Sequence, residues 1–135
     1  MLNTQARSIM VCDDDPHILA ALSDLLTQSG YSVSTAQGHH ELMARMQEHT
    51  PDLLILDVRL PERDGIWIAE GLQVLGSQVP VLFLTGYDST IYRYYSPFVG
   101  AVGYMLKPVN PDALLKKIDA VMQKRQPASI PARIC

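Results

Sequence analysis

Residues 9–18 read "IMVCDDDPHI": a short apolar run, three consecutive carboxylates, then a proline that opens a helical pattern. Adjacent like charges disfavour one another's ionisation. A triplet at the mouth of a buried strand therefore calls for a turn, a helix cap or a cation. Asp15 precedes Pro16, the order of an N-cap and a first helical residue, which assigns the third carboxylate to structure. Asp13 and Asp14 are left at the carboxyl end of the strand.

The same strand-then-helix order repeats along the chain. Strand-like runs occupy residues 8–12, 31–35, 52–56, 80–84 and 101–106. Four are almost continuously apolar, as strands covered on both faces are. The second, "YSVST", alternates apolar and polar, which suits an edge. Helical patterns fill 16–29, 39–49 and 66–75, and a last one starts at Pro111 behind an Asn110 N-cap. The fourth connecting segment, "DSTIYRYYSPFVG" (88–100), carries Pro97 and three tyrosines and is expected to be short or irregular. These elements predict an α/β fold: a doubly wound, five-stranded parallel sheet of order 2-1-3-4-5, flavodoxin-like, with five helices.

With 135 residues, 47% hydrophobic and 19% charged, the chain has the makings of one globular domain. Residues 8–125 form that domain, 1–7 an N-terminal extension, and 126–135, "QPASIPARIC", a tail or linker. A net charge of −3 without a basic stripe argues against direct nucleic-acid binding. The apolar runs are too short to span a membrane, and "MLNTQARS" lacks a signal-peptide core, which favours the cytoplasm. Cys12 and Cys135 make no disulfide framework; Cys12 reads as a small buried hydrophobe.

In open parallel sheets, sites lie beyond the carboxyl ends of the strands. The residues found there are Asp13 and Asp14 after strand 1, Asp57 after strand 3, Thr85 after strand 4 and Lys107 after strand 5. Three convergent carboxylates repel unless a cation intervenes, and Mg²⁺ suits oxygen ligands while keeping waters and a place for a phosphate oxygen. Asp57 would be a ligand only, or also a nucleophile, since carboxylates form aspartyl-phosphate intermediates. Phosphoryl transfer asks mainly for positioning and charge neutralisation, which Mg²⁺, Lys107 and the Thr85 hydroxyl would supply.

"IMVCDDDP", "LLILDVRLPERDG", "VLFLTGYD" and "VGYMLKP", in this order and spacing, resemble the receiver domain of two-component response regulators over roughly residues 8–124. Each motif alone is weak, and the ordered set is specific. The resemblance implies Asp57 as phosphoacceptor, with Asp13, Asp14, Asp57 and the Arg59 backbone carbonyl as Mg²⁺ ligands. It implies Thr85 and Lys107 as phosphoryl-binding groups, a cis peptide at Lys107–Pro108, and Thr85 with Tyr104 as the switch pair. Phosphorylation would then remodel a face made by helix 4, strand 5 and helix 5. The implied partners are a sensor histidine kinase or phosphotransfer protein, and an output domain or second copy at that face.

Departures from the family pattern lie in Tyr92, Tyr94, Tyr95 and Phe98, which read either as an aromatic contact surface or, slightly favoured, as rings packed inward or scattered singly. Arg59 and Tyr87, two residues beyond Asp57 and Thr85, would hinder in-line water and slow loss of the phosphoryl group. Gly86 would leave room beside Thr85, Gly65 reads as turn geometry, and Trp67 as a packing residue of helix 3. His17, His39, His40 and His49 have no metal-ligand spacing and read as surface residues or as lying at helix starts.

Two other functions compete. An Mg²⁺-dependent phosphohydrolase with an aspartyl nucleophile would place an acid two residues after it, where this chain has Arg59. A phosphorylation-independent, receiver-like interaction module would not need the complete set of acidic, hydroxyl and amine positions. The expected domain is a switch and not a turnover enzyme, although it catalyses its own phosphorylation and dephosphorylation.

Overall fold

A computed structural model describes residues 6–124. The five strands are β1 (Ser8–Cys12), β2 (Ser32–Ala36), β3 (Leu53–Leu56), β4 (Val81–Thr85) and β5 (Ala101–Leu106), all parallel, in the expected order β2-β1-β3-β4-β5. Between and after them run α1 (Pro16–Gln28), α2 (His39–Glu48), α3 (Gly65–Val74), α4 (Thr90–Tyr95) and α5 (Pro111–Lys124). The fourth segment is short, as its proline foretold: α4 has six residues and gives way to a 3₁₀ turn at Ser96–Val99 with Pro97 in its first turn.

Alternation of side chains along each strand feeds two cores, one per sheet face. Ile9, Val11, Leu53, Ile55, Leu82 and Leu84 pack with Leu22 and Leu26 of α1 and Leu114 and Ile118 of α5. Met10, Cys12, Leu54, Leu56 and Phe83 face Leu42 of α2 and Ile68 and Leu72 of α3. The central strands are buried on both faces. β5, expected to be covered likewise, has every residue half-buried because it forms the second edge of the sheet.

Helix starts follow the capping chemistry of the sequence. Asp15 Oδ1 accepts from the His17 amide at 2.9 Å, Asp64 Oδ1 from Trp67 at 2.8 Å, and Asn110 Oδ1 from Ala113 at 3.0 Å. α2 begins at Gly38, which has no capping side chain. Two carboxylates substitute: Glu41 Oε1 accepts from the Gln37 amide at 2.8 Å, and Glu62, from the loop after β3, accepts from His40 at 3.1 Å. Gly30, in the left-handed region at φ 98°, closes α1.

Three expectations are corrected. Trp67, expected as a packing residue of helix 3, packs at the surface and not in the core: it is 46% exposed, lies under the Arg63 guanidinium at 4.7 Å, and meets His39 edge-on. Gly65 is a helical first residue, and what demands glycine there is close backbone approach, because a Cβ would collide with the Asp57 carbonyl oxygen and lie 3.0 Å from Val58 Cα. The fourth-segment rings split. Tyr92 packs against the core, while Tyr94, Tyr95 and Phe98 form one exposed cluster instead of turning inward or scattering. Residues 126–135 and Cys135 lie outside the described residues.

Candidate functional site: an acidic pocket at the strand ends

The sheet brings the predicted side chains to one place because β1, β3, β4 and β5 end at the same edge of the molecule. Their loops are locked to one another through the backbone: the Asp57 amide donates to the Cys12 carbonyl at 3.0 Å, and the Lys107 amide to the Thr85 carbonyl at 2.9 Å. Asp13, Asp14 and Asp57 each offer a carboxylate oxygen, and these oxygens lie within 4.8 Å of one another. Asp13 and Asp57 are buried, and Asp14 is open to solvent.

The Lys107 ammonium reaches across the sheet to both buried acids, donating to Asp13 Oδ2 at 2.5 Å and to Asp57 Oδ2 at 3.0 Å. Each acid is also held from its own loop. Asp13 Oδ1 accepts from the Asp15 amide at 2.9 Å, and Asp57 Oδ1 from the Arg59 amide at 3.0 Å. Burial pushes the Asp13 carboxyl up, and its bonds to Lys107 and the Asp15 amide pull it part of the way back. Burial pulls the Lys107 ammonium down, but its bonds to Asp13 and Asp57 outweigh that and hold it above its ordinary value. The Cys12 thiol behind the pocket is pushed up to about 12 by burial and neighbouring acids, so it stays a neutral core group.

The donor set fits a hard cation. It consists of oxygens only, one of its carboxylates faces water, and a single ammonium stands against three acids. Thr85 is fully buried, its Oγ1 accepting from the Tyr87 amide at 3.2 Å. The Lys107–Pro108 peptide is cis. Tyr104 lies beside Phe83, ring centroids 6.0 Å apart, and its hydroxyl donates to the Tyr87 carbonyl at 2.6 Å.

Arg59 and Tyr87, singled out by their spacing from Asp57 and Thr85, stand at the start of a chain of contacts around this core. The Arg59 guanidinium stacks 3.7 Å above the Tyr87 ring, which meets Tyr92 of α4 edge-on at 5.4 Å. Arg93 covers the Tyr104 ring at 5.0 Å and pairs with Asp88 at 3.2 Å. The extension of that chain to Tyr92, Arg93 and Tyr104 was hinted at only by the aromatic richness of residues 87–98. Gly86 borders open space, with no atom near where a Cβ would stand.

Residues 9–119 match the family model described as the response regulator receiver domain. The chain belongs to that family. Receiver domains of response regulators are signalling switches and not turnover enzymes. Among curated relatives, the alkaline phosphatase synthesis transcriptional regulatory protein PhoP of Bacillus subtilis is 32% identical over 91% of this chain and 51% of its own length. The chain thus spans about half the length of that relative. Among solved structures, a CheY-like receiver domain protein from Methanospirillum hungatei is 31% identical and superposes with a TM-score of 0.84, covering 89% of this chain and 96% of that one. The BeF3-activated N-terminal receiver domain of Klebsiella pneumoniae RstA is 26% identical with a TM-score of 0.81, covering 87% of this chain and 99% of that one. Among the described residues, no helix is long and apolar enough to cross a membrane.

Proposed function

We propose that this receiver domain is a phosphorylation-activated switch in which Asp57 takes a phosphoryl group from a phosphohistidine on a sensor histidine kinase or phosphotransfer protein. The observation that carries this is the Lys107 ammonium bonded to both buried acids beside the exposed Asp14. In the transfer, an Asp57 carboxylate oxygen bonds to phosphorus while the phosphorus–nitrogen bond breaks and its electron pair returns to the imidazole. Asp13, Asp14, Asp57 and the Arg59 carbonyl are the groups that would hold Mg²⁺, which when bound supplies positive charge to the phosphoryl oxygens. Lys107 then exchanges its carboxylate contacts for a phosphoryl oxygen, and the Thr85 hydroxyl donates to another.

Moving the Thr85 hydroxyl toward that oxygen disturbs its bond with the Tyr87 amide, and the Tyr87 carbonyl is the acceptor of the Tyr104 hydroxyl. This link supports Thr85 and Tyr104 as the switch pair, with the readout on α4, β5 and α5, where an output domain or another protein would bind. Residues 8–125 are the switch unit, residues 1–7 an extension, and 126–135 a tail or linker; the setting is the cytoplasm of a bacterial cell. Loss of the phosphoryl group to water is the domain's own reaction. A phosphohydrolase has no support, since the position two beyond Asp57 holds a guanidinium engaged with Tyr87.

Intact mass after incubation with acetyl phosphate and Mg²⁺ is the direct test. One phosphoryl group is expected on the wild type and none on Asp57→Ala. An unchanged wild-type mass would favour the phosphorylation-independent module, and equal labelling of both proteins would move the acceptor elsewhere.

A further inference from the structure

The loop that follows the acceptor is tied at its outer end to α2. Among the described residues, the hydrogen bond that links residues 60–63 to another element is made by Glu62, whose Oε1 accepts from the His40 amide at 3.1 Å. The place of this carboxylate is shaped from the α2 side. Gly38 has no side chain to cap the helix, and a Cβ there would stand 3.0 Å from Glu62 Oε1. Glu62 thus does from a distance what Asp15, Asp64 and Asn110 do locally for their own helices. The helix dipole also favours an anion at this end.

This contact closes a ring through the acid-bearing loops. The Asp57 amide donates to the Cys12 carbonyl at 3.0 Å, and the Asp13 amide to the Ala36 carbonyl at 3.1 Å, so β3, β1 and β2 are joined in series where they end. The segment from Ala36 to His40 then returns to the Asp57 loop through Glu62. Asp13, Asp57 and the Arg59 carbonyl, groups that would hold Mg²⁺, all belong to this ring. Alongside it, the His39 ring meets Trp67 at 5.3 Å, and Arg63 covers the same indole.

We propose that Glu62 is a positioning residue for the pocket: by capping α2 from the acceptor loop, it fixes the Arg59 carbonyl relative to Asp13 and Asp57 and so raises the affinity for Mg²⁺. Glu62 is not among the carboxylates that converge at the strand ends, and it acts through the backbone it holds. Ligands carried on an ordered backbone lose less conformational freedom when they gather around a cation. The requirement is an acceptor oxygen with the reach of a glutamate, not a negative charge. The inference rests on the reading of Asp57 as an Mg²⁺-assisted acceptor.

Mg²⁺ titration of the full chain, followed by the NMR amide shifts of residues 57–59 without any phosphodonor, tests it. Glu62→Ala is expected to bind Mg²⁺ about three- to tenfold more weakly than the wild type, the range for loss of one hydrogen bond. Glu62→Gln keeps an acceptor oxygen at the same reach and should bind like the wild type. Glu62→Asp keeps the charge on a shorter side chain and should bind like Glu62→Ala. Phosphorylation of Glu62→Ala by acetyl phosphate should need correspondingly more Mg²⁺ yet reach the wild-type rate at saturation. Glu62 is exposed, so the variants should fold; if Glu62→Ala does not, the Gln and Asp variants decide by the same comparison. Equal affinity throughout overturns the proposal and leaves the acceptor reading standing. Weak binding by the Gln variant assigns the effect to charge and also overturns it. The expected order of affinities in a chain that gains no phosphoryl mass keeps Glu62 in its role and overturns the acceptor reading, whereas a wild type that binds no Mg²⁺ overturns the proposal.

Discussion

The Tyr104 hydroxyl donates to the Tyr87 carbonyl at 2.6 Å, joining the edge strand to the loop that leaves the buried Thr85. Through this bond the ring position of Tyr104 and the backbone next to the pocket are one mechanical unit. Tyr104→Phe keeps the ring and removes the donor. The variant should be less stable by about 0.5–1.5 kcal/mol in urea unfolding. Amide shifts at Tyr87 and Asp88 should be the largest, and equal stability with unmoved shifts would separate the two residues.

Arg59 over Tyr87 forms a cover of two bulky groups at the acceptor loop. If incoming water must part them, the contact adds its ~0.5–1 kcal/mol to the hydrolysis barrier. Loss of the phosphoryl group from an Arg59→Ala, Tyr87→Ala variant should then be about two- to fivefold faster than from the wild type. Decay followed by intact mass after removal of the donor gives the ratio, and an unchanged half-life removes the cover from the mechanism.

Gly65 shares van der Waals space with the acceptor's own backbone. Gly65→Ala must push α3 away from Asp57 and Val58, at a cost of about 1–3 kcal/mol. Phosphorylation of Asp57 should slow as well, because the displaced carbonyl belongs to that residue. A thermal melt and a phosphorylation time course on the same sample check both outcomes. A variant with wild-type stability and rate would mean that the helix yields freely.

Glu41 holds the Gln37 amide and pairs with Arg45 at 3.0 Å, and these contacts set its carboxyl below the ordinary value of 4.5. A carboxylate with a lowered folded pKa stabilises above its unfolded value, and that contribution disappears as pH falls through the lowered value. Stability should therefore drop on acidification below about pH 4.5. Glu41→Gln should show a smaller drop over that range. Parallel acid-dependence curves for the two proteins would show that α2 does not lean on this charge.

Sheet order and strand positions were legible because parallel strands buried on both faces leave long apolar runs, and "YSVST" announces an edge by alternating. The acceptor pocket was legible for a related reason: polar residues following β1, β3, β4 and β5 converge whenever the sheet is parallel. β5 misled because its apolar run resembles that of a strand covered on both faces, although the predicted order already put it at an edge. Gly65 and Trp67 misled because their surroundings come from distant segments. A glycine after an aspartate looks like a turn until the Asp57 carbonyl is seen against it, and a lone tryptophan on a helix does not announce that its packing partners are the surface groups Arg63 and His39. Glu62 on α2 had no signature at all, being a contact between a helix start and the loop after β3, and Arg93 over Tyr104 had only the local richness in aromatic residues.

α4 is six residues long and contains no fully buried side chain. A helix that short has almost no stability of its own and depends on a few partners such as Tyr92 on Tyr87. It is thus the least expensive part of the domain to melt and rebuild. A free-energy change far smaller than global unfolding suffices to reshape it, so a modest chemical event in the pocket is amplified at the surface without endangering the rest of the molecule.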